Sequence, residues 1–494
     1  MHFEFVDMDN VKIRSMYSGL NNKKLEVVPH WHSEIEILLF QKGHCIQQID
    51  DKYGITFPGD IVVISKNQLH STYSYQEEPC QVLVIMADSG FIFNNETIAF
   101  QNPINDKNPK YTDMKSCIEE IHRELTQKDK AYEYKAISSL YNFFSMLLRF
   151  SDYVSETTRY NDLYKNVLKK EAPNRPTLFE FILNGDLVEA FTKHKTYEGT
   201  EEEISCKKLA DTYYFCGYDY ACMHGSYFSF KSATKHEAGK STISLNQGFV
   251  ITDRESFENY EWANPEDFDY SRIEMLSNYL PEGMKLIIYG PGGILENVIR
   301  LVGYENLCYM LYEDPELVEQ IFKEVSERLL TYYDICAKHD CVGILMSNDD
   351  WGFNTQTMLS VDQMRKYVFP WHKKIAELAH SYNKPICLHS CGKFDAVVDD
   401  IAYDMKYDGR HSYEDNILPV EEAYKKYKDK FAILGGIDVD FLTRGTPEEI
   451  YNRSAKMLEL AKTGYALGSG NSIASYIPIQ NYLAMIAAAV FNEN

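Results

Sequence analysis

The sequence lacks several features that would place it in a simple class. None of its 11 cysteines forms a C-x-x-C pair, so the thiols predict a reducing compartment rather than a disulfide framework. No apolar run approaches the length of a membrane span, and the first residues lack the basic and apolar regions of a signal peptide. These absences predict a soluble cytoplasmic protein.

Positive charge is scarce as well. The chain has 50 basic against 73 acidic residues and a formal net charge of −23, and the field of such a chain repels polyanions. Nucleic acids and anionic membranes are therefore poor partners. A small anionic substrate would need a local cluster of positive charge.

The chain has enough apolar sequence for packed cores. It has 494 residues, of which 45% are hydrophobic, and this length predicts two or three domains. Residues 1–100 contain short strand-like runs, such as Cys45 to Ile49 and Ile61 to Ile64, separated by turn signals. That rhythm predicts an all-β domain, a small antiparallel barrel or jelly roll.

The rest of the chain is first helical and then mixed. Residues 101–170 show the periodicity of a helical connector, and a charged segment with two prolines at residues 169–176 marks a boundary. In residues 171–494 strand patterns alternate with helix patterns, which predicts a (β/α)8 TIM barrel. A doubly wound sheet is the alternative, but its Gly-rich dinucleotide fingerprint is missing.

A first candidate site lies in the β region. His30, His32 and Glu36 have the spacing H-x-H-x-x-x-E, and His70 ends a later strand. These segments resemble the two-part motif of the cupin family, which implies a jelly roll with three histidines and a glutamate around a divalent metal. A metal-free pocket for a small molecule, with Trp31 in its wall, is the other interpretation.

Residues 20 to 150 resemble more closely the ligand-binding cupin of AraC-type transcription regulators, including the helical pair after it. Those regulators continue into two helix-turn-helix units, whereas a barrel-like region without a basic recognition helix follows here. The resemblance therefore implies a domain that binds an effector or forms a homodimer, and not a DNA-binding protein.

A second candidate site ends the strand-like run Pro385-Ile386-Cys387-Leu388-His389. Residues i and i+2 of an extended segment point to the same side, so His389 and Cys391 can present a nitrogen and a sulfur atom to one ion. Zinc prefers these ligands. The other interpretation is a hydrogen-bonded histidine and a buried, inert thiol.

Five segments of the barrel region carry a family resemblance. They are Met346–Gly352, Pro370–Lys374, Leu388–Gly392, Gly435–Asp438 and Gly464–Asn471. In this order they resemble the uroporphyrinogen decarboxylase superfamily, a TIM-barrel group that includes cobalamin-dependent methyltransferases. The decarboxylase itself grips the porphyrin carboxylates with an arginine-rich loop, which residues 175–185 lack, so haem biosynthesis is not expected.

The H-x-C-G step resembles the zinc site of methylcobamide:thiol methyltransferases, in which zinc activates a thiol that takes a methyl group from cobalt. The resemblance implies that His389 and Cys391 are zinc ligands, with Glu414 as the third. Those enzymes have a second cysteine after the last barrel strand, where this sequence has Asn471. One thiolate instead of two leaves room for another acceptor, such as a tetrahydrofolate bound by hydrogen bonds from Asn348, Asp349 and Asn471.

Polar residues at other strand ends complete the predicted site. Asp349 and Asp350 follow a buried strand, so one carboxylate should face the pocket and the other should cap the next helix. Two close carboxylates can also form an acid-base group. Asp438 is a third catalytic candidate, with a helix cap as its alternative role. The substrate-binding candidates are Asn348, Trp351, Tyr289 and Asn471.

These features support three functional hypotheses. The first is a methyltransferase that moves a methyl group between a corrinoid and a small donor or acceptor. Because the chain has no D-x-H-x-x-G corrinoid-binding signature, the corrinoid would arrive on a separate protein. The second is a metal-independent decarboxylase or lyase that acts on a small acid through Asp349 or Asp350. The third is a non-catalytic sensor that couples a cupin ligand to a partner protein.

Overall fold

The computed structural model describes two regions, an N-terminal sandwich with two helices and a C-terminal barrel. The described residues are 2–3, 13–18, 25–32, 34–49, 52–66, 68–77, 79–88, 98–151, 153–155, 163, 167–173, 176–193, 195–233, 246, 248–281 and 284–490. Arg175, which begins the stretch without the arginine-rich loop, lies outside them. The domain limits at residues 100 and 170 stay predictions.

The sandwich consists of two β-sheets. Its strands are β1 His2–Phe3, β2 Ile13–Ser18, β3 Glu26–Trp31, β4 Ile35–Lys42, β5 Cys45–Ile49, β6 Lys52–Thr56, β7 Ile61–Ile64, β8 His70–Ser74 and β9 Gln81–Ala87, followed by the separate pair β10 Ile98–Phe100 and β11 Tyr153–Ser155. One sheet has the order β1-β3-β8-β5-β6 and the other β2-β9-β4-β7. This arrangement confirms the predicted all-β, cupin-like domain.

Two helices cover the outer face of the second sheet. They are α1 Tyr111–Gln127 and α2 Tyr132–Phe150. On β4, Ile35, Ile37 and Leu39 share a core with these helices, whereas Leu38 and Phe40 share the core between the two sheets. Both faces of β4 are therefore buried at its centre, which explains the continuous apolar run of residues 37–40 in this antiparallel strand.

The C-terminal region is a curled parallel sheet surrounded by helices. Its strands are β12 Tyr220–His224, β13 Lys285–Tyr289, β14 Val342–Asn348, β15 Ile386–His389, β16 Gly409–His411, β17 Ala432–Leu434 and β18 Tyr465–Ala466. They lie side by side in chain order, each parallel to the next.

Helices alternate with these strands. They are α3 Gly185–Thr192, α4 Glu201–Phe215, α5 Arg254–Glu258, α6 Ser271–Tyr279, α7 Ile294–Val302, α8 Tyr304–Glu313, α9 Pro315–Ala337, α10 Val361–Gln363, α11 Phe369–Ser381, α12 Val420–Tyr427, α13 Val439–Arg444, α14 Pro447–Leu460 and α15 Ile479–Val490. A π-helical segment, Met364–Val368, joins α10 to α11. Within the described residues, no helix is long and apolar enough to cross a membrane.

A segment without a regular strand completes the barrel. Leu178 forms a parallel bridge with Leu467, and Leu183 forms one with Ile473. The segment therefore takes the eighth position, beside β18. The predicted TIM barrel is confirmed, and the doubly wound alternative is wrong, because a doubly wound sheet is open and reverses its strand order.

Local sequence signals mark the starts of two barrel helices. The side chains and backbone amides of Thr446 and Glu449 form the reciprocal capping box of α14. Asp314 accepts a hydrogen bond from the Leu317 amide and so caps α9, which begins with proline. These caps define where α9 and α14 begin.

The sandwich and the barrel are in contact near β3 and β8. Trp31 and Leu69 belong to the same buried core as the barrel residues. The buried Lys66 donates a hydrogen bond to the hydroxyl of Tyr214 on α4. The contact therefore adjoins the first predicted site.

The seam that closes the barrel gives a test of the fold. A Cβ atom on Gly468 would lie well inside contact distance of the Phe179 carbonyl oxygen, so Gly468→Ala must push the eighth segment away from β18. We expect the free energy of unfolding to fall by roughly 1–3 kcal/mol, the usual cost of overpacking. Urea unfolding followed by circular dichroism measures this change.

The matched control is Gly185→Ala at the start of α3, where nothing lies within 4 Å of the added atom. This variant should be as stable as the parent protein or slightly more stable. Equal stability of the two variants would show that the seam is not tightly packed.

Candidate functional site

Polar side chains from neighbouring strands meet at the carboxyl end of the barrel. Asn348, His389 and His411 hold equivalent positions on β14, β15 and β16, since Asn348 pairs with His389 and His389 pairs with His411. TIM barrels carry their functional groups at this end. Asp350 and Cys391, each two residues beyond these positions in the chain, extend the cluster toward the solvent.

Three donors of this cluster could hold one metal ion. Ligand atoms of Asp350, His389 and Cys391 lie within 4.8 Å of one another, and His389 Nε2 is 3.8 Å from Cys391 Sγ. In a tetrahedral zinc site these two atoms would be about 3.5 Å apart, given Zn–N near 2.0 Å and Zn–S near 2.3 Å. The donor set and its spacing therefore fit zinc.

The sulfur of Cys391 is surrounded by hydrogen-bond donors. Asn471 Nδ2 lies 3.3 Å and Ser412 Oγ 3.4 Å from the sulfur, and both groups can stabilise a thiolate. Burial, followed by the Asp350 carboxylate, raises the pKa of Cys391 well above its usual range. The thiolate therefore needs a cation beside it at neutral pH, as a bound metal would provide.

The backbone conformation directly after Cys391 requires a glycine. Gly392 has a φ of +87°, and a Cβ atom there would collide with the backbone of Gly352. The chain therefore makes a tight left-handed turn directly after Cys391. The same turn lets one oxygen of Asp350 accept a hydrogen bond from the Cys391 amide at 2.8 Å.

A buried arginine holds the two loops around the sulfur. Arg410 has no exposed surface; it donates to the carbonyl oxygens of Ser390 at 2.8 Å and Ser412 at 2.7 Å. Its guanidinium group also lies 3.4 Å from the ring centre of Phe394. These contacts fix the backbone on both sides of the site.

Asp349 has a structural environment. Its two oxygens accept hydrogen bonds from the amides of Leu295 and Glu296, each at 3.0 Å, which caps α7. Trp351 Nε1 and His372 Nε2 contact the same carboxylate at 3.0 and 2.8 Å. One aspartate of the pair is thus a cap, as expected, but the helix is α7, which precedes the pair in the chain.

The other predicted residues have mixed placements. Asp438 caps α13 by accepting from the Asp440 and Phe441 amides, the alternative role that the sequence allowed. Trp351 is 1% exposed, which is too buried for contact with a substrate. Tyr289 and Asn348 are partly exposed at strand ends, so both can still line the mouth.

Glu414 lines a cleft and is not in the donor cluster. The cleft has a volume of about 1220 Å³, and Glu414 and Asn471 are among its lining residues. Burial, then the neighbouring carboxylates of Asp438 and Asp350, raises the pKa of Glu414. The structure therefore adds Asp350 to His389 and Cys391 as a potential third donor, and the role that the sequence resemblance gives to Glu414 stays a prediction.

The sandwich contains the second donor cluster. His30, His32 and His70 are buried, and their ligand atoms lie within 4.8 Å of one another. Their Nδ1 atoms contact the backbone carbonyls of residues 28, 34 and 68 at 2.9, 3.2 and 2.9 Å. A carbonyl can only accept a hydrogen bond, so each Nδ1 carries a proton, and Nε2 is the atom through which each ring, when neutral, would bind a metal ion.

Glu36 completes this cluster from the opposite sheet. One of its oxygens lies 2.9 Å from His70 Nε2 and 3.6 Å from His32 Nε2. Apart from these contacts with one another, none of the three buried atoms has a hydrogen-bond partner within the described part of the chain. Burial and the neighbouring His70 also lower the pKa of His30 to about 4, which keeps its ring neutral. The four residues fit a divalent metal.

Sequence reasoning missed three buried residues near the barrel cluster: His411, Arg410 and Glu180. His411 gave a usable signal, because it ends a strand next to the strand of His389. Arg410 is charged within a buried strand. Glu180 lies between two phenylalanines, and burial raises its pKa to about 8. A charged residue inside an apolar run is the signal that could have found the last two.

The C-terminal region is a TIM barrel with a group of potential metal ligands at its mouth, and it is joined to a cupin-type β-sandwich. Residues 250–490 match the family model of uroporphyrinogen decarboxylase (URO-D), and residues 22–144 match that of the AraC-like ligand binding domain. The chain therefore combines a uroporphyrinogen decarboxylase-family domain with an AraC-like ligand-binding domain. Both resemblances drawn from the sequence are confirmed.

Two curated relatives are similar to part of the chain. A methylated-thiol--coenzyme M methyltransferase of Methanosarcina mazei is 23% identical over 190 residues, 38% of this chain and 48% of the relative. A methylcobamide:CoM methyltransferase of Methanosarcina barkeri is 28% identical over 202 residues, 41% of this chain and 57% of the relative. The chain thus spans about half the length of these relatives.

A solved structure supports the fold. A methyltransferase from Methanosarcina mazei superposes with a TM-score of 0.52 at 16% identity, and the match covers 67% of this chain and 98% of the other. At this identity the likeness shows the barrel fold alone.

Metal analysis separates the two clusters. We expect the full chain, purified without chelators, to contain one equivalent of metal in the barrel and one in the sandwich. His389→Ala should remove the first and His30→Ala the second, because each substitution deletes one donor of its own cluster. Inductively coupled plasma mass spectrometry measures the content.

His380→Ala is the control, since this histidine pairs with Asp408 on the surface, away from both clusters. It should keep the full metal content. Unchanged content in the His389 and His30 variants would argue against both metal sites.

Proposed function

We propose that the protein is a methyltransferase that moves a methyl group between a separate corrinoid protein and a small donor or acceptor. The observation that carries the proposal is the cluster of Asp350, His389 and Cys391 at the barrel mouth. Methyl transfer at neutral pH needs an activated nucleophile or leaving group, and this donor set suits a zinc ion. The similarity to two methyltransferases supports the same reaction class.

Zinc held by these donors would act as a Lewis acid that lowers the pKa of a bound thiol or other substrate group. The chain itself supplies the geometry. Asn471 and Ser412 donate to the Cys391 sulfur and limit its charge, while Arg410 fixes the loops on both sides. By the resemblance, Asn471 stands where the thiol-using family has a second cysteine, so a zinc ion held here by one thiolate would be more Lewis acidic.

The cleft beside the cluster would admit the substrate and the corrinoid. Its acidic lining residues are Glu414, Asp415, Asp438 and Asp440, whereas Arg444 is its single basic lining residue among the described ones and pairs with Asp440. A porphyrin with many carboxylates would be repelled here. The cleft therefore favours a neutral or cationic small molecule over the substrate of a true uroporphyrinogen decarboxylase.

The sandwich would serve as a regulatory metal or effector site. His30 and His70 belong to the donor cluster of the sandwich, whereas their chain neighbours Trp31 and Leu69 pack into the barrel core. A ligand that orders β3 and β8 would therefore change the packing of the barrel surface. This coupling also keeps open the sensor hypothesis, in which the barrel reports on the cupin ligand.

A lyase that acts on a small acid is the second candidate function. Burial, followed by the charges of Asp350 and Asp349, raises the pKa of Glu296 to about 8, so a protonated carboxyl group is present near the mouth at neutral pH. Burial also raises the pKa of Asp350. Such groups can transfer protons without metal. Because the Asp349 carboxylate is already engaged in hydrogen bonds, proton transfer would fall to Asp350 and Glu296.

A methyl-transfer assay tests the proposal. Methylcobalamin is incubated with the full protein, zinc and candidate acceptors such as thiols or tetrahydrofolate, and the reverse reaction uses cob(I)alamin with small methyl donors. We expect turnover with at least one compound. The change in cobalamin absorbance measures the rate. Cys391→Ala should reduce the rate by more than about 100-fold. Loss of a direct metal ligand should cost more activity than loss of a residue that only orients a ligand, which usually costs about 10–100-fold.

Cys387→Ala is the matched control, since Cys387 is buried on the same strand but outside the donor cluster. Its rate should stay close to that of the parent protein. Absence of turnover in both directions would contradict methyl transfer, and activity on a small acid that survives chelation and Cys391→Ala would favour the lyase.

A further inference from the structure

A second histidine holds the ring of His389. His411 Nδ1 lies 2.8 Å from His389 Nδ1, and His411 Nε2 lies 3.1 Å from the carbonyl oxygen of Ser469. His411 has no exposed surface. An unbroken line of contacts therefore runs from the backbone of the β18 loop, through His411, to the predicted zinc ligand.

The chemistry of these contacts fixes the proton positions. The Ser469 carbonyl only accepts, so His411 Nε2 must carry a hydrogen atom. A neutral imidazole carries a single hydrogen atom, so His411 Nδ1 is then the acceptor in its contact with His389 Nδ1. His389 Nδ1 must then be the donor. The lone pair of His389 therefore resides on Nε2, the atom that faces Cys391 Sγ.

Further contacts make this arrangement rigid. Glu180 accepts hydrogen bonds from Ser469 Oγ at 2.6 Å and from the Ser469 amide at 3.1 Å, which holds the carbonyl that anchors His411. Phe181 stacks on His389 with ring centres 4.3 Å apart and an interplanar angle of 28°. The imidazole of His389 can neither rotate nor exchange its tautomer without breaking a buried hydrogen bond.

We propose that His411 is a positioning residue of the barrel metal centre, which orients His389 and keeps its Nε2 free to bind the ion. This inference rests on the proposed metal site in the barrel. It assigns to a histidine the orienting role that a carboxylate or a backbone carbonyl usually has. The carbonyl of Ser469 acts one step further away, through the His411 ring.

Cobalt substitution tests this role without an activity assay. The full protein is titrated with Co²⁺, and the sulfur-to-cobalt charge-transfer band is followed, because only the barrel cluster contains a cysteine. Zinc competition then gives relative affinities. We expect His411→Leu to weaken binding by roughly 10–100-fold, the usual effect of removing the residue that orients a metal-binding histidine.

His411→Asn provides the rescue. Its amide oxygen is placed at the δ position and can accept the hydrogen bond from His389 Nδ1, so the affinity should stay closer to that of the parent protein. The control for a buried histidine is His372→Leu. His372 is fully buried and contacts Asp349 and Tyr407 but not His389, so its loss should leave the charge-transfer band and the affinity nearly unchanged.

The outcomes separate the two proposals. A parent protein without the charge-transfer band, or one whose band persists in His389→Ala, overturns the barrel metal site and with it the role of His411. A band of normal affinity in His411→Leu overturns only the role of His411. Equal weakening in His411→Leu and His411→Asn also overturns it, because the retained acceptor would then have no effect, and so does equal weakening in His372→Leu.

Discussion

The register of the parallel barrel strands is the constraint on which the rest of the structure depends. Because His389 pairs with His411 and Asn348 pairs with His389, the last residues of three strands end at one level. The loops that follow then carry Asp350 and Cys391 into the same mouth. A shift of one residue in β15 would turn His389 away from the cluster, since side chains alternate between the two faces of a sheet.

Burial divides the polar residues of the barrel into scaffold and reactive groups. Asp349, Arg410 and Glu180 are enclosed. Asp349 holds the start of α7, Arg410 holds the loops after β15 and β16, and Glu180 holds the loop after β18. A buried polar group without such partners would destabilise the fold. Asp350 and Cys391 are partly exposed beside an open cleft, so they remain available for a metal ion and a substrate.

The two donor clusters follow the same rule with different partners. In the sandwich, three histidines donate through Nδ1 to backbone carbonyls of their own segments. In the barrel, His389 donates to His411, which a distant carbonyl anchors. Local carbonyls can be anticipated from the chain near each histidine, whereas the contact between His389 and His411 exists only after two strands 22 residues apart have paired.

The sequence by itself determined the two fold classes and most members of the donor clusters. Alternating and helical patterns, capping boxes and the motif spacings around His30 and His389 are local, so they can be predicted from neighbouring residues. Tertiary structure alone decided that the Asp350 carboxylate lies beside His389 and Cys391, and that Asp349 caps α7. The reason is that strand register and loop direction depend on packing between segments far apart in the chain, which no local pattern specifies.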